Sequence, residues 1–66
     1  MDFIEKARIR IEHWIEHNEQ HQEEYEIFAD QLEDAGKGES AGHIREMTRL
    51  TAQGTDCLRK ALAALD

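Results

Sequence analysis

Three histidines stand four residues apart in the string His13-Trp14-Ile15-Glu16-His17-Asn18-Glu19-Gln20-His21. On a helix, side chains at that spacing lie one above another, near enough for two imidazoles to hold one metal ion. His17 and His21 make the better pair. The hydrophobic spacing puts His21 on the apolar stripe and His17 beside it, whereas His13 faces mostly outward. Glu24 follows on the same flank and can supply an oxygen. Between Ile11 and Ala35 there are nine acidic residues and no Lys or Arg, so the local potential attracts a divalent cation. Imidazole with some carboxylate suits nickel, cobalt or zinc, and also copper or iron. Imidazole must be neutral to ligate, so a site of this kind weakens below about pH 6.5.

Weighed against this is a purely structural reading. His21 can be a core histidine bonded to Tyr25 of a neighbouring helix or to Thr51, and the acidic face can be a solvated face. Cys57 reads as a small buried residue, with a thiolate ligand as the lesser alternative. His43 lies near the expected turn, far from the other three histidines, and is given no role. Catalysis finds little support. A Cys57–His pair has no oxyanion donor at its level, and no phosphate loop or dinucleotide fingerprint is present. A carboxylate-bridged di-iron bundle needs Glu-x-x-His motifs on two helices, and here the acid follows the His. The expectation is a non-enzymatic protein.

The elements that position these residues are legible. The first 35 residues hold no Gly or Pro and are rich in Glu, Gln, Ala and Leu, all good helix formers. The stretch Ala35-Gly36-Lys37-Gly38-Glu39-Ser40 interrupts them, and helix formers return from Ala41. Gly36 suits the left-handed position that ends a helix, and Ser40 suits a cap for the next. The sequence predicts one all-α domain over 1–66: helix 2–35, turn 36–40, helix 41–65, folded as an antiparallel hairpin.

Two heptad series define its stripe. On the first helix they are Ile4, Ile11, Asn18, Tyr25, Leu32 and Ala7, Trp14, His21, Phe28, Ala35. On the second they are Ile44, Thr51, Leu58, Leu65 and Met47, Gly54, Ala61. A turn centred near Gly38 makes residues whose numbers sum to about 76 lie level, placing Trp14 by Leu62, Phe28 by Thr48 and Tyr25 by Thr51. Phe3, Ile15, Ala29, Leu50, Cys57 and Leu62 widen the stripe beyond what one partner helix covers. The expected solution is a homodimer forming a four-helix bundle, in which each histidine pair appears twice.

The middle of the stripe is polar. Asn18 and His21 stand level with Thr51, Gly54, Thr55 and Cys57, so Asn18, Tyr25, Thr51 and Gly54 read as a core polar layer. Buried unpaired, such groups cost about 1–3 kcal/mol each. Gly54 inside a helix costs about 1 kcal/mol against Ala and leaves room for a neighbour or ligand. Asn18 can instead serve only to fix register and oligomeric state.

The motif Trp14-x-x-His17-Asn18-x-x-His21, followed by Glu24-Tyr25 and Phe28, resembles a family of small uncharacterised helical-hairpin proteins of anaerobic microbes. That resemblance implies nickel or cobalt handling. It supports Trp14, His17, Asn18 and His21 as the positions that matter, and implies no established activity.

Composition narrows the partners. The chain has 66 residues, 15 acidic against 8 basic, for a net charge of −7. Residues 1–35 carry −8 and residues 36–66 carry +1. Phosphate backbones would be repelled, so nucleic acid is not expected. No apolar run reaches the roughly 20 residues of a membrane span, and no secretion leader is evident. A single cysteine fits a reducing, cytoplasmic setting. Two functions follow from these readings. The first is a small metal-binding or metal-delivery protein. The second is an interaction module, self-associating or docking on another protein, whose polar layer sets pairing specificity.

Overall fold

The computed structural model describes residues 2–66. It is a hairpin of two helices, α1 (Phe3–Asp34) and α2 (Gly38–Ala64). α1 starts at Asp2, whose side chain accepts a hydrogen bond from the Glu5 amide at 2.9 Å. This satisfies one of the amides that a helix start leaves free. α1 ends in a Schellman motif. Gly36 takes φ +79°, the Lys37 amide donates to the Leu32 carbonyl at 2.8 Å, and the Gly36 amide donates to Glu33 at 2.9 Å.

The turn is shorter than the sequence reading had it. α2 begins at Gly38, not Ala41, so residues 35–37 make the whole connection. Ser40 lies inside the first turn of α2. Lys37 holds the cap position and makes no side-chain cap bond. The Schellman bonds already close the end of α1, and the Ala41 amide reaches the Lys37 carbonyl at 3.0 Å. The chain therefore re-enters a helix without a serine cap.

Register between the helices follows the expected pairing. Ion pairs Arg8–Asp66, Arg59–Glu19, Arg45–Asp30 and Arg45–Glu33 join α1 to α2, and their residue numbers sum to between 74 and 78. The rotation of each helix differs from expectation. The first series faces the seam, with Ile11, Asn18, Tyr25 and Leu32 half-buried on α1 and Ile44, Thr51, Leu58 and Leu65 half-buried on α2. Of the second series only Ala7 and His21 are half-buried, at the edge of the seam. Trp14, Phe28, Met47, Gly54 and Ala61 are exposed. Positions four residues after the first series take their place: Ile15, Gln22 and Ala29 on α1, and Thr48, Thr55 and Leu62 on α2.

Size explains the rotation. The buried residues are Ala29, Ala41, Thr48 and Thr55, all small, and they let the two backbones approach closely. Indole and phenyl rings do not fit between two closely packed helices, so they are turned to the flank. The buried hydroxyls are satisfied locally, Thr48 donating to the Ile44 carbonyl at 2.9 Å and Thr55 to Thr51 at 3.0 Å. Among the described residues no buried side-chain polar atom lacks a partner.

The same rotation on both helices divides the hairpin into two faces. Antiparallel helices with the same seam positions present their corresponding flanks on one side. One face carries all the cross-helix ion pairs and the shallow grooves lined by Gln22, Glu26, Ala52 and their acidic and basic neighbours. The other carries Phe3, Trp14, Phe28, Met47 and Leu50, each between 37% and 77% exposed. No described helix is long and apolar enough to cross a membrane.

Candidate metal centre

α1 is unbroken through residues 13–25, so the four-residue spacing becomes a column of rings. His13 and His17 have ring centroids 5.8 Å apart and tilted by 50°. His17 and His21 are closer, at 4.3 Å and edge-on. His21 then lies parallel to Tyr25, at 5.8 Å and 7°. Because each step of four advances 40° around the helix, the column winds from the exposed back of α1 at His13 toward the seam at Tyr25.

His17 and His21 are brought together by their reactive atoms. Their Nε2 nitrogens face each other at 2.7 Å. On the other side of the His21 ring, Nδ1 donates to Glu24 Oε2 at 3.2 Å. That bond fixes the tautomer. With the proton on Nδ1, neutral His21 offers its Nε2 lone pair, and His17 Nε2–H donates into it. A carboxylate on the far nitrogen is also the usual brace of a metal-ligating histidine. Glu24 therefore stands behind His21, beside Nδ1, and not beside the facing Nε2 atoms.

The other sequence-predicted residues are distributed as follows. His13 is exposed and makes only the ring contact with His17. Asn18 and Tyr25 are half-buried at the seam. Thr51 is half-buried, and its hydroxyl donates to the Met47 carbonyl at 3.0 Å. Gly54 is exposed on the apolar flank, so it is not part of a buried polar layer. Cys57 is exposed, contrary to the expected burial. Both residues turn outward with the rest of their flank. His21 is half-buried at the edge of the seam, not inside it. Among the described residues no three His, Cys, Asp or Glu side chains converge on a point that could hold a metal ion. One chain thus offers two facing nitrogens and no third ligand.

The electrostatics follow the two faces. Arg45 donates hydrogen bonds to the Glu33 and Asp30 carboxylates, which raise its guanidinium above its ordinary value. Asp66 does the same for Arg8, and Arg49 holds the Glu46 carboxyl below its usual value. These cations are thus engaged by carboxylates. Thr48 and Thr55, which the heptad series did not single out as core, were signalled by the spacing Thr48-Thr51-Thr55 of small β-branched residues on one side of α2.

A two-helix hairpin carrying a braced histidine pair on the face that bears its exposed apolar side chains is the class that fold and site define. Residues 7–65 match a family model described as a domain of unknown function, DUF8180. The chain belongs to that family. No curated protein and no solved structure matches it.

Proposed function

We propose that this chain is a small, non-catalytic metal-binding or metal-delivery protein that works as a homodimer in the cytoplasm. The observation that carries the reading is the pair of facing Nε2 atoms, His17 to His21 at 2.7 Å, with Glu24 bracing the far side of His21. Two nitrogens bound tetrahedrally at about 2.0–2.1 Å from zinc lie about 3.3 Å apart, so a separation of about 0.6 Å from the present contact admits the ion. Side-chain torsions of the exposed His17 supply that. His17 then shifts its proton from Nε2 to Nδ1, so that both Nε2 lone pairs face the ion. Nickel, cobalt and zinc all accept such nitrogens, and the resemblance of the His-Asn-x-x-His motif favours nickel or cobalt.

A second reading is an interaction module with no metal, favoured by the large apolar side chains exposed along one face. Calorimetric titration with nickel, cobalt and zinc at pH 7.5 separates the two. Metal delivery predicts binding tighter than about 0.1 mM that is lost in both His17→Ala and His21→Ala. Absence of such binding, with both variants still assembling, leaves the interaction module.

A further inference from the structure

We infer that two copies of this chain pair through the face bearing Trp14, Phe28, Met47 and Leu50, α1 against α1 and antiparallel, and that the two His17–His21 pairs close on one shared divalent metal ion. This rests on the metal-binding reading above and adds to it the occupant of the apolar face and the origin of the missing ligands.

Four observations point to a second copy. The first is area. The chain exposes 5009 Å², whereas a compact protein of its 7.7 kDa exposes about 4,300 Å². The excess of about 700 Å² is close to the ~800 Å² that each partner buries in a stable interface. The molecule is also a slab of 51 × 16 × 11 Å, so one broad face offers about that area. The second is the separation of faces. The cross-helix ion pairs close the opposite side, and the five large side chains lie on this one, three of them at least half exposed. The third is position. The midpoint of α1 falls between Asn18 and Glu19, within one residue of the centre of the His17–His21 pair. A two-fold axis lying in the face at that level, across the helices, overlaps the two copies of α1 along their full length and the two copies of α2 over their C-terminal halves, and sets one histidine pair against the other. The fourth is the ligand count. One chain supplies two nitrogens and no third ligand converges on them, whereas two chains supply four, a complete tetrahedral set.

Gly54 agrees with this arrangement. It lies mid-helix on the same flank, and nothing stands within 4 Å of where its Cβ would be. Nothing within the hairpin calls for a glycine there, whereas close approach of a second backbone does. Charge makes the pairing metal-dependent. Each chain carries −7, so the copies repel, and a divalent cation on the axis offsets part of that repulsion.

Sedimentation equilibrium with zinc chloride or EDTA, combined with calorimetric stoichiometry, tests the inference. The expected result is one zinc per two chains and a dimer dissociation constant at least tenfold lower with zinc than with EDTA. The double variant His17→Ala/His21→Ala should keep the EDTA value and lose the zinc effect. Trp14→Glu should weaken the dimer under both conditions while circular dichroism still reports helix. One zinc per chain on a monomer overturns the shared site and leaves metal binding standing. No zinc binding overturns both. A dimer constant indifferent to zinc, or a zinc effect that survives loss of both histidines, also overturns the inference.

Discussion

Replacing Gly54 by Ala separates what the single hairpin needs from what its apolar face does. Gly54 is in the interior of α2, has no left-handed φ, and is exposed. An added Cβ meets no atom within 4 Å, so the steric cost within one chain is nil. Ala exceeds Gly by about 0.8–1.0 kcal/mol in a helix interior. For a domain of this size that corresponds to a rise in Tm of roughly 4–8 °C. The assay is thermal melting by circular dichroism in EDTA, at a concentration where sedimentation shows a monomer, because self-association makes Tm concentration-dependent. A lowered Tm under those conditions would refute the claim that Gly54 is free within the hairpin. A rise accompanied by a weaker zinc-bound dimer is the expected pair of results.

Three further outcomes follow from the fold. Asn18→Leu adds apolar area at a half-buried seam position. About half of the 1.5–3 kcal/mol of a full leucine burial should appear as a higher Tm, with zinc affinity unchanged, and a tenfold loss of affinity would make Asn18 part of the metal site. Gly36→Ala forces a side chain into φ +79° at about 1–2 kcal/mol, so Tm should fall by about 4 °C or more, and an unchanged melt would mean the turn rearranges freely. Molar sodium chloride should leave far-ultraviolet helicity nearly intact, because exposed ion pairs such as Arg59–Glu19 contribute only ~0.2–1 kcal/mol each; unfolding there would show that charge, not the seam, holds the helices together.

Much of this fold could be read from residue types. The left-handed Gly36, the antiparallel register and one of the two heptad series on each helix all follow from spacing. The second series did not, because a heptad pattern marks two flanks of the seam equally, and only side-chain volume decides which one two helices close upon. Ala29, Ala41, Thr48 and Thr55 allow close approach, while Trp14, Phe28 and Met47 do not. Ser40 misled because a helix can start without a side-chain cap where the preceding turn satisfies the backbone. At the site, the pairing of His17 with His21 was legible from the four-residue spacing. The place of Glu24 was not: position 24 shares a flank with both histidines, and only the ring orientation of His21 shows that the carboxylate meets Nδ1. Gly54 was recognised as anomalous, but its position outside the seam depends on the rotation that spacing alone leaves open.

The measurement that bears most directly on metal binding is side-chain nitrogen NMR of the histidines during titration with zinc. Coordination by His17 and His21 predicts that their two Nε2 resonances move together and saturate at one zinc per two chains, while those of His13 and His43 stay in place. Movement of His13 or His43 in their stead, or no saturable movement at all, would contradict it.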